Sequence, residues 1–367
     1  MSKLNKLAEL GQSVWLDFIS RKLLTNGDLI KLREMGLRGM TSNPTIFDKA
    51  ISKSTDYDED IRALVSRGLS VEDIYEALAL KDIGIAADEM RKVYEETNGL
   101  DGYISIEVNP LLANNTEETI RQAKHLFKSL SRPNIMIKIP GTEEGLPAIT
   151  EVLGSGINVN VTLIFSTDSY RKVVEAFMAG LEKYDVAGGD ISKHASVASF
   201  FVSRVDTAVD KELEAKGNKD LLGKIAVANS KIAFDISNEM FKSERWKRLE
   251  AKGAKKQRLL WASTGTKNPA YSDVLYIDEL IGPDTVNTMP PDTIDAFIDH
   301  GKVEMTLNKG IDEAKAQLKE LKKLGIDINK ITDKLLVDGV KSFSDSFESL
   351  LGSLKEKVKK IKAEVAE

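Results

Sequence analysis

Residues 134–142 place a lysine near the end of a short apolar strand. Three isoleucines alternate with Met136 and Lys138 over residues 135–139, which is the period of a β-strand with the isoleucines on one face. Burial favours the neutral form of an amine, and a neutral amine attacks carbonyl carbon atoms. Lys138 is therefore a candidate nucleophile, although this stretch alone is better explained by a lysine that reaches solvent or pairs with a carboxylate.

Other strands carry polar residues on the face opposite their aliphatic residues. These residues are Asp17, Glu107, Asn160 and Thr162, and Asn43 ends a further short strand. Most fall late in their strands, which in a barrel of parallel strands is the end where active sites lie. A single buried charge would be an ion pair, but several polar groups converging from separate strands favour a functional site over a purely structural network.

The chemistry that fits these residue types is Schiff-base formation. Lys138 would attack a ketone, and the iminium would draw electrons from a neighbouring carbon–carbon bond as that bond breaks. A carboxylate such as Asp17 suits removal of the proton from the adjacent hydroxyl, and Glu107 with the Thr162 hydroxyl could move the second proton, directly or through a water molecule. This chemistry requires neither a metal nor a cofactor.

Two further stretches suit an anion. Ser199 and Arg204 flank the turn between a strand and a helix, and residues 263–268 offer hydroxyl groups, a glycine and Lys267 directly after another strand. Hydroxyl groups and a cation at a helix N-terminus bind phosphate, so together the stretches predict a phosphorylated substrate. The alternatives are an ion pair between Arg204 and Asp206, and an exposed Lys267 without a role.

The remaining pattern predicts a (β/α)8 TIM barrel with an N-terminal helix and a C-terminal helical extension. The predicted helices include one long region over residues 70–97, broken near Gly84, and a solvated, frayed tail from Lys355. The barrel domain is predicted over residues 1–300 and the extension over residues 301–367. The predicted strands cover residues 13–19, 39–43, 103–109, 134–139, 158–165, 194–201, 258–264 and 286–289.

Composition excludes several classes of protein. The 367 residues carry a net charge of −5, so nothing indicates a nucleic-acid partner, and no apolar run reaches the roughly 18 residues that a membrane span needs. Cysteine is absent, which fits a cytoplasmic protein, and three scattered histidines argue against a histidine-based zinc site. A homo-oligomer is left open.

The chain resembles the transaldolase family in five stretches that follow one another in the family's order. They read TSNPTIF at residues 41–47, IEV at 106–108, IMIKIP at 135–140, NVTLIFS at 160–166 and FVSR at 201–204. The resemblance implies a class I aldolase-type barrel of the pentose phosphate pathway. Such enzymes move a dihydroxyacetone unit from fructose 6-phosphate or sedoheptulose 7-phosphate to erythrose 4-phosphate or glyceraldehyde 3-phosphate.

The resemblance also implies a role for each site residue. Lys138 would form the Schiff base, Asp17 would act on the donor C4 hydroxyl, and Glu107 and Thr162 would handle the water. Binding of the dihydroxyacetone unit falls to Asn43, Asn160 and Ser199, and binding of the phosphate to Arg204. Many relatives have an arginine shortly after the serine that corresponds to Ser263, whereas this chain has Lys267.

Two other functions stay open from the sequence. Aldolases that resemble this site carry a tyrosine where Phe201 stands, so the phenylalanine favours transfer over simple cleavage of fructose 6-phosphate. A barrel that only binds its partners is disfavoured because Asp17, Glu107, Lys138 and Thr162 occur together.

Overall fold

Eight parallel strands form a closed barrel in a computed structural model that describes residues 2–366, with side chains described as far as residue 363. Each strand pairs with the next in the chain, and the first also pairs with the last, which confirms the predicted (β/α)8 barrel. The strands are β1 (Gln12–Asp17), β2 (Gly39–Thr41), β3 (Ile104–Glu107), β4 (Ile135–Pro140), β5 (Val159–Ile164), β6 (Ser196–Phe201), β7 (Arg258–Ala262) and β8 (Thr285–Met289).

Helices follow the strands and cover the outside of the barrel, and two short 3-10 helices occur at Pro110–Leu112 and Ile191–Lys193. The α-helices are α1 (Lys3–Glu9), α2 (Arg21–Thr25), α3 (Asp28–Glu34), α4 (Pro44–Ser52), α5 (Asp58–Ser66), α6 (Val71–Glu96), α7 (Thr116–Leu130), α8 (Gly145–Leu153), α9 (Thr167–Val186), α10 (Ser203–Ala215), α11 (Ile225–Met240), α12 (Glu244–Glu250), α13 (Leu275–Asp278), α14 (Pro291–His300), α15 (Ile311–Lys323) and α16 (Ile328–Ala366). No helix within residues 2–366 has both the length and the apolar character that crossing a membrane requires.

The predicted break near Gly84 is wrong, because α6 runs without interruption from Val71 to Glu96. A glycine inside a helix costs only about 1 kcal/mol relative to alanine, and the buried face of α6 offsets that cost. The guanidinium of Arg132 packs over this position, 3.4 Å from where a Cβ on Gly84 would lie.

The prediction of a solvated, frayed tail from Lys355 is also wrong for the residues whose side chains are described. Leu354, Val358 and Ile361 are buried, and Lys357 Nζ pairs with Asp58 Oδ1 of α5 at 2.6 Å. α16 packs along α4, α5 and α6 and crosses the carboxyl end of the barrel. The domain boundary at residue 300 stays a prediction.

Contacts between non-adjacent strands show which side chains point into the barrel. Asn160 on β5 donates to Ser105 Oγ on β3 at 3.0 Å, and Thr41 on β2 lies 2.8 Å from Thr288 on β8, oxygen to oxygen. The polar face of these strands therefore lies inside, as the alternation predicts, while the aliphatic residues meet the helices.

Candidate active site

Lys138 is buried inside the barrel, between its two neighbouring strands. Strand pairing sets Glu107 of β3 and Asn160 of β5 directly beside it. Its Nζ atom lies 3.4 Å from Glu107 Oε2 and donates to the carbonyl oxygen of Ser42 at 3.1 Å. Because the side chain is 6% exposed, the amine does not reach solvent as a surface lysine does.

Asp17 is the last residue of β1 and faces the same space. Its Oδ1 accepts a hydrogen bond from Thr41 Oγ1 at 2.7 Å, and Thr41 is in turn in contact with Thr288. Burial raises the pKa of Asp17, while the positive charges of Lys138 and Lys267 and the Thr41 hydroxyl act in the opposite direction. A carboxylate of raised pKa is a stronger proton acceptor than an ordinary aspartate.

Glu107 has a second perturbed carboxyl group at the site. Burial raises its pKa to about 7, the charge of Lys138 lowers it, and the charge of Asp17 adds to the increase. Its Oε2 atom and the Thr162 hydroxyl are both buried and make no hydrogen bond to other described residues. Buried polar atoms without such a bond are costly, and they concentrate where a substrate or a water molecule is bound.

Ser199 and Asn43 are polar groups of the cavity wall, and Asn160 lies behind Ser199. Ser199 Oγ donates to Asn160 Oδ1 at 2.7 Å, so the two side chains hold each other in place. Asn43 caps α4 by accepting a hydrogen bond from the Ile46 N–H at 3.0 Å, and its amide nitrogen is therefore the group that a ligand could use. Asn160 is fully buried and acts on the cavity only through its neighbours.

Arg204 contacts aromatic rings rather than a carboxylate. Its Cζ lies 5.5 Å from the ring centre of Phe201 and 5.9 Å from that of Phe343, and it makes no ion pair in the described part of the chain. An ion pair with Asp206 is excluded because that carboxylate accepts from Tyr276 and from the Ala226 N–H. A half-buried guanidinium without a carboxylate partner suits an anionic ligand.

Ser263 and Lys267 follow β7 at the edge of the site. Ser263 adopts a left-handed backbone conformation with φ of 56°, which is strained for a residue with a side chain. Its hydroxyl lies 2.9 Å from that of Ser203, at the first turn of α10. Lys267 is exposed at the rim, where its charge acts on Asp17.

One cavity of about 120 Å³ brings most of these groups together at the carboxyl end of the barrel. Glu107 and Asn160 do not line it but contact residues that do. A larger cavity of about 460 Å³ lies outside the barrel beside α11 and α15 and contains none of the predicted site residues. The predicted residues that line the smaller cavity are Asp17, Asn43, Lys138, Thr162, Ser199, Phe201, Arg204, Ser263 and Lys267.

Four groups at this site were missed by the sequence interpretation. Thr41 donates to Asp17 and contacts Thr288, the carbonyl of Ser42 accepts from Lys138, and the ring of Phe343 lines the cavity. Thr41 and Ser42 directly precede Asn43 at the carboxyl end of a predicted strand, and this position could have marked them as site residues. Phe343 lies more than 130 residues beyond Phe201, the last predicted site residue on β6. No local sequence pattern indicates that its ring would reach the cavity.

A family model and the sequences of known proteins all relate the chain to transaldolases. The family described as transaldolase/fructose-6-phosphate aldolase matches residues 14–354. A transaldolase of Trichodesmium erythraeum is 50% identical over 370 residues, covering 97% of each chain. A transaldolase of Saccharopolyspora erythraea is 48% identical over 364 residues, covering 98% of this chain and 99% of its own.

Proposed function

The chain belongs to the transaldolase/fructose-6-phosphate aldolase family, and from that premise we propose that Lys138 is the amine that forms the Schiff base. The activity is that of a transaldolase of the pentose phosphate pathway. It transfers a dihydroxyacetone unit from a ketose phosphate to an aldose phosphate. The observation that carries the role of Lys138 is its burial beside Glu107, with its side chain lining a cavity that also holds Asp17.

The first step joins the donor to the protein. Lys138 Nζ attacks the ketone carbon at C2 of the donor, and the carbinolamine then loses water to become an iminium. Glu107 supplies the proton that turns the departing hydroxyl into water, and Thr162 holds that oxygen. The unmet hydrogen-bonding capacity of Glu107 Oε2 and Thr162 Oγ1 supports this assignment.

The second step breaks the bond between C3 and C4 of the donor. Asp17 removes the proton from the C4 hydroxyl, the C4–O group becomes an aldehyde, and the electrons of the broken bond flow into the iminium. The raised pKa of Asp17 and its hydrogen bond from Thr41 support this role as a base. Transfer to the acceptor aldehyde is the reverse of this step with a different aldose.

Binding of the donor divides between two sets of residues. We assign the hydroxyl groups of the dihydroxyacetone unit to the Asn43 amide and to Ser199, with Asn160 holding Ser199 in position. The phosphate is assigned to Arg204 with Ser263 and Lys267, which also line the cavity. Phe201 presents no hydroxyl near the iminium, which favours transfer over protonation and release.

Reductive trapping with and without an acceptor tests this function. Borohydride added to the protein with fructose 6-phosphate is expected to leave a reduced dihydroxyacetone adduct on Lys138, identified by peptide mass spectrometry. Addition of erythrose 4-phosphate is expected to produce sedoheptulose 7-phosphate and to increase the release of glyceraldehyde 3-phosphate. Turnover that does not respond to the acceptor would instead show an aldolase, and absence of any adduct would contradict the Schiff base.

The titration of Glu107 predicts a pH dependence for adduct formation. Its carboxyl group is protonated below about pH 7 and can then donate to the departing hydroxyl. We expect the rate of cyanoborohydride trapping with dihydroxyacetone to fall as the pH rises through about 7. Dihydroxyacetone has no phosphate, so titration of a substrate phosphate does not contribute, and the decline should vanish in the slower Glu107→Gln variant. If the trapping rate of that variant still declines with pH, the decline arises from the titration of a group other than Glu107.

Replacement of Arg204 by alanine tests the phosphate site. Loss of a charge-assisted hydrogen bond costs about 1.5–3 kcal/mol, so KM for fructose 6-phosphate should rise by about 10- to 150-fold. Trapping with dihydroxyacetone, which lacks the phosphate, should proceed at nearly the native rate. Equal loss with both compounds would show that Arg204 supports the cavity rather than the phosphate.

A cytoplasmic location and assembly into a homo-oligomer belong to the same proposal. The absence of cysteine from the sequence agrees with a reducing compartment. Sedimentation of the purified protein and cell fractionation measure these two properties directly.

A further inference from the structure

α16 brings an aromatic ring to the amine and the guanidinium at the same time. The ring centre of Phe343 lies 5.7 Å from Lys138 Nζ and 5.9 Å from Arg204 Cζ. Phe343 as a whole residue is 5% exposed, and it lines the cavity of the proposed active site. Phe343 is thus the described residue of α16 that borders both the bond-forming atom and the proposed phosphate ligand.

Close packing holds this part of α16 against the barrel. A Cβ on Gly339, one turn before Phe343, would lie 3.0 Å from Leu163 Cδ2 and 3.6 Å from an Arg204 nitrogen. The helix therefore approaches the end of β5 as closely as a residue without a side chain permits. Thr45 Oγ1 of α4 donates to Ser346 Oγ at 2.8 Å, just beyond Phe343, so the ring sits on a well-anchored helix.

Cleavage of the donor leaves an intermediate with two possible fates. Its first three carbons stay on Lys138 as an enamine while the aldose phosphate departs. In transfer, the enamine carbon attacks the acceptor aldehyde carbon, whose oxygen takes a proton, and the iminium re-forms. In hydrolysis, the same carbon instead takes a proton from a water molecule, a second water molecule adds to the iminium carbon, and the amine leaves to release dihydroxyacetone. Water access to the Lys138 adduct therefore sets the balance between the two fates.

We propose that Phe343 is a specificity-determining residue that keeps water from the Lys138 adduct and so favours transfer over hydrolysis. The inference rests on the proposed role of Lys138. An apolar ring at this distance excludes water from one side of the amine, and its π face stabilises a cation such as the iminium. Because the ring also borders Arg204, it lies along the path between the Schiff base and the donor phosphate.

Product partitioning in Phe343 variants tests the proposal. Protein, fructose 6-phosphate and erythrose 4-phosphate are incubated together, and the ratio of free dihydroxyacetone to sedoheptulose 7-phosphate is measured. We expect Phe343→Ala to raise this ratio by about tenfold or more, because water then reaches the adduct. Phe343→Leu keeps an apolar side chain and the helix packing but removes the π face, and we expect a rise of about threefold.

Leu350→Ala is the matched control, since Leu350 is a fully buried apolar residue of the same helix that does not line the cavity. Its ratio should equal that of the native protein even though its thermal stability falls. A ratio in both Phe343 variants within about 1.5-fold of native, with the Lys138 adduct still trapped, would overturn the inference alone. Absence of the adduct in the native protein would overturn the proposed function and this inference with it.

Discussion

Replacement of Lys138 by arginine is expected to abolish adduct formation and to reduce transaldolase activity by at least about 10⁴-fold. A guanidinium keeps a positive charge beside Glu107, so the buried carboxylate retains its ion-pair partner. It carries no nucleophilic lone pair at neutral pH, however, and cannot form an iminium. The measurements are borohydride trapping with fructose 6-phosphate and the rate of sedoheptulose 7-phosphate formation.

Lys231→Arg provides the matched control. Lys231 is the other buried lysine of the described chain, and it pairs with Glu279 at 3.5 Å outside the barrel. The control should trap the adduct at the native level, whereas an adduct that persists in Lys138→Arg would show that a different lysine is the nucleophile. Circular dichroism of both variants establishes that the comparison is made between folded proteins.

Replacement of Arg258 by alanine is expected to cost about 3–5 kcal/mol of the free energy of unfolding while leaving the chemistry intact. Arg258 begins β7, at the end of the barrel opposite the active site. It pairs with the buried carboxylate of Asp101 at 2.9 Å and donates to Ser13 Oγ at 2.9 Å and to the Leu100 carbonyl at 2.6 Å. Truncation leaves the Asp101 charge buried without its cation, which accounts for the size of the loss.

Urea unfolding measures this loss, and Arg121→Ala supplies the comparison. Arg121 pairs with Glu118 on the surface of α7, with side chains 72% and 42% exposed, so its removal should leave the urea midpoint close to that of the native protein. At a temperature where Arg258→Ala is folded, its kcat/KM should stay within about threefold of native. A large drop in kcat/KM of the folded variant would show that the two ends of the barrel are coupled.

Local pattern and motifs were enough to predict the strands and most of the predicted residues that line the cavity. Alternation with a period of two places Asp17, Glu107 and Lys138 on inward faces without knowledge of any distant residue. Pairing then follows from chain order, because βαβ units place successive strands side by side. Nine of the eleven predicted site residues consequently line one cavity, and the other two contact residues that do.

Local pattern failed to predict the packing of α16, because that helix packs against elements that lie far away in the chain. The buried positions Leu350, Leu354, Val358 and Ile361 repeat every three or four residues, which is a helical stripe that the surrounding lysines and glutamates obscure. That stripe was available in the sequence and indicates a packed helix. It does not indicate which surface the helix covers, since a hydrophobic stripe packs on any complementary apolar face.

The sequence by itself therefore determined the barrel, the inward polar residues and the family, because each depends on short-range periodicity or on local motifs. Tertiary structure alone decided that the Ser42 carbonyl accepts from Lys138, that Arg204 faces aromatic rings instead of Asp206, and that Phe343 lines the cavity. These contacts join residues between 96 and 205 positions apart or depend on rotamers set by close packing. Nothing in the neighbouring sequence encodes a contact of that kind, which arises only when the whole barrel and α16 pack together.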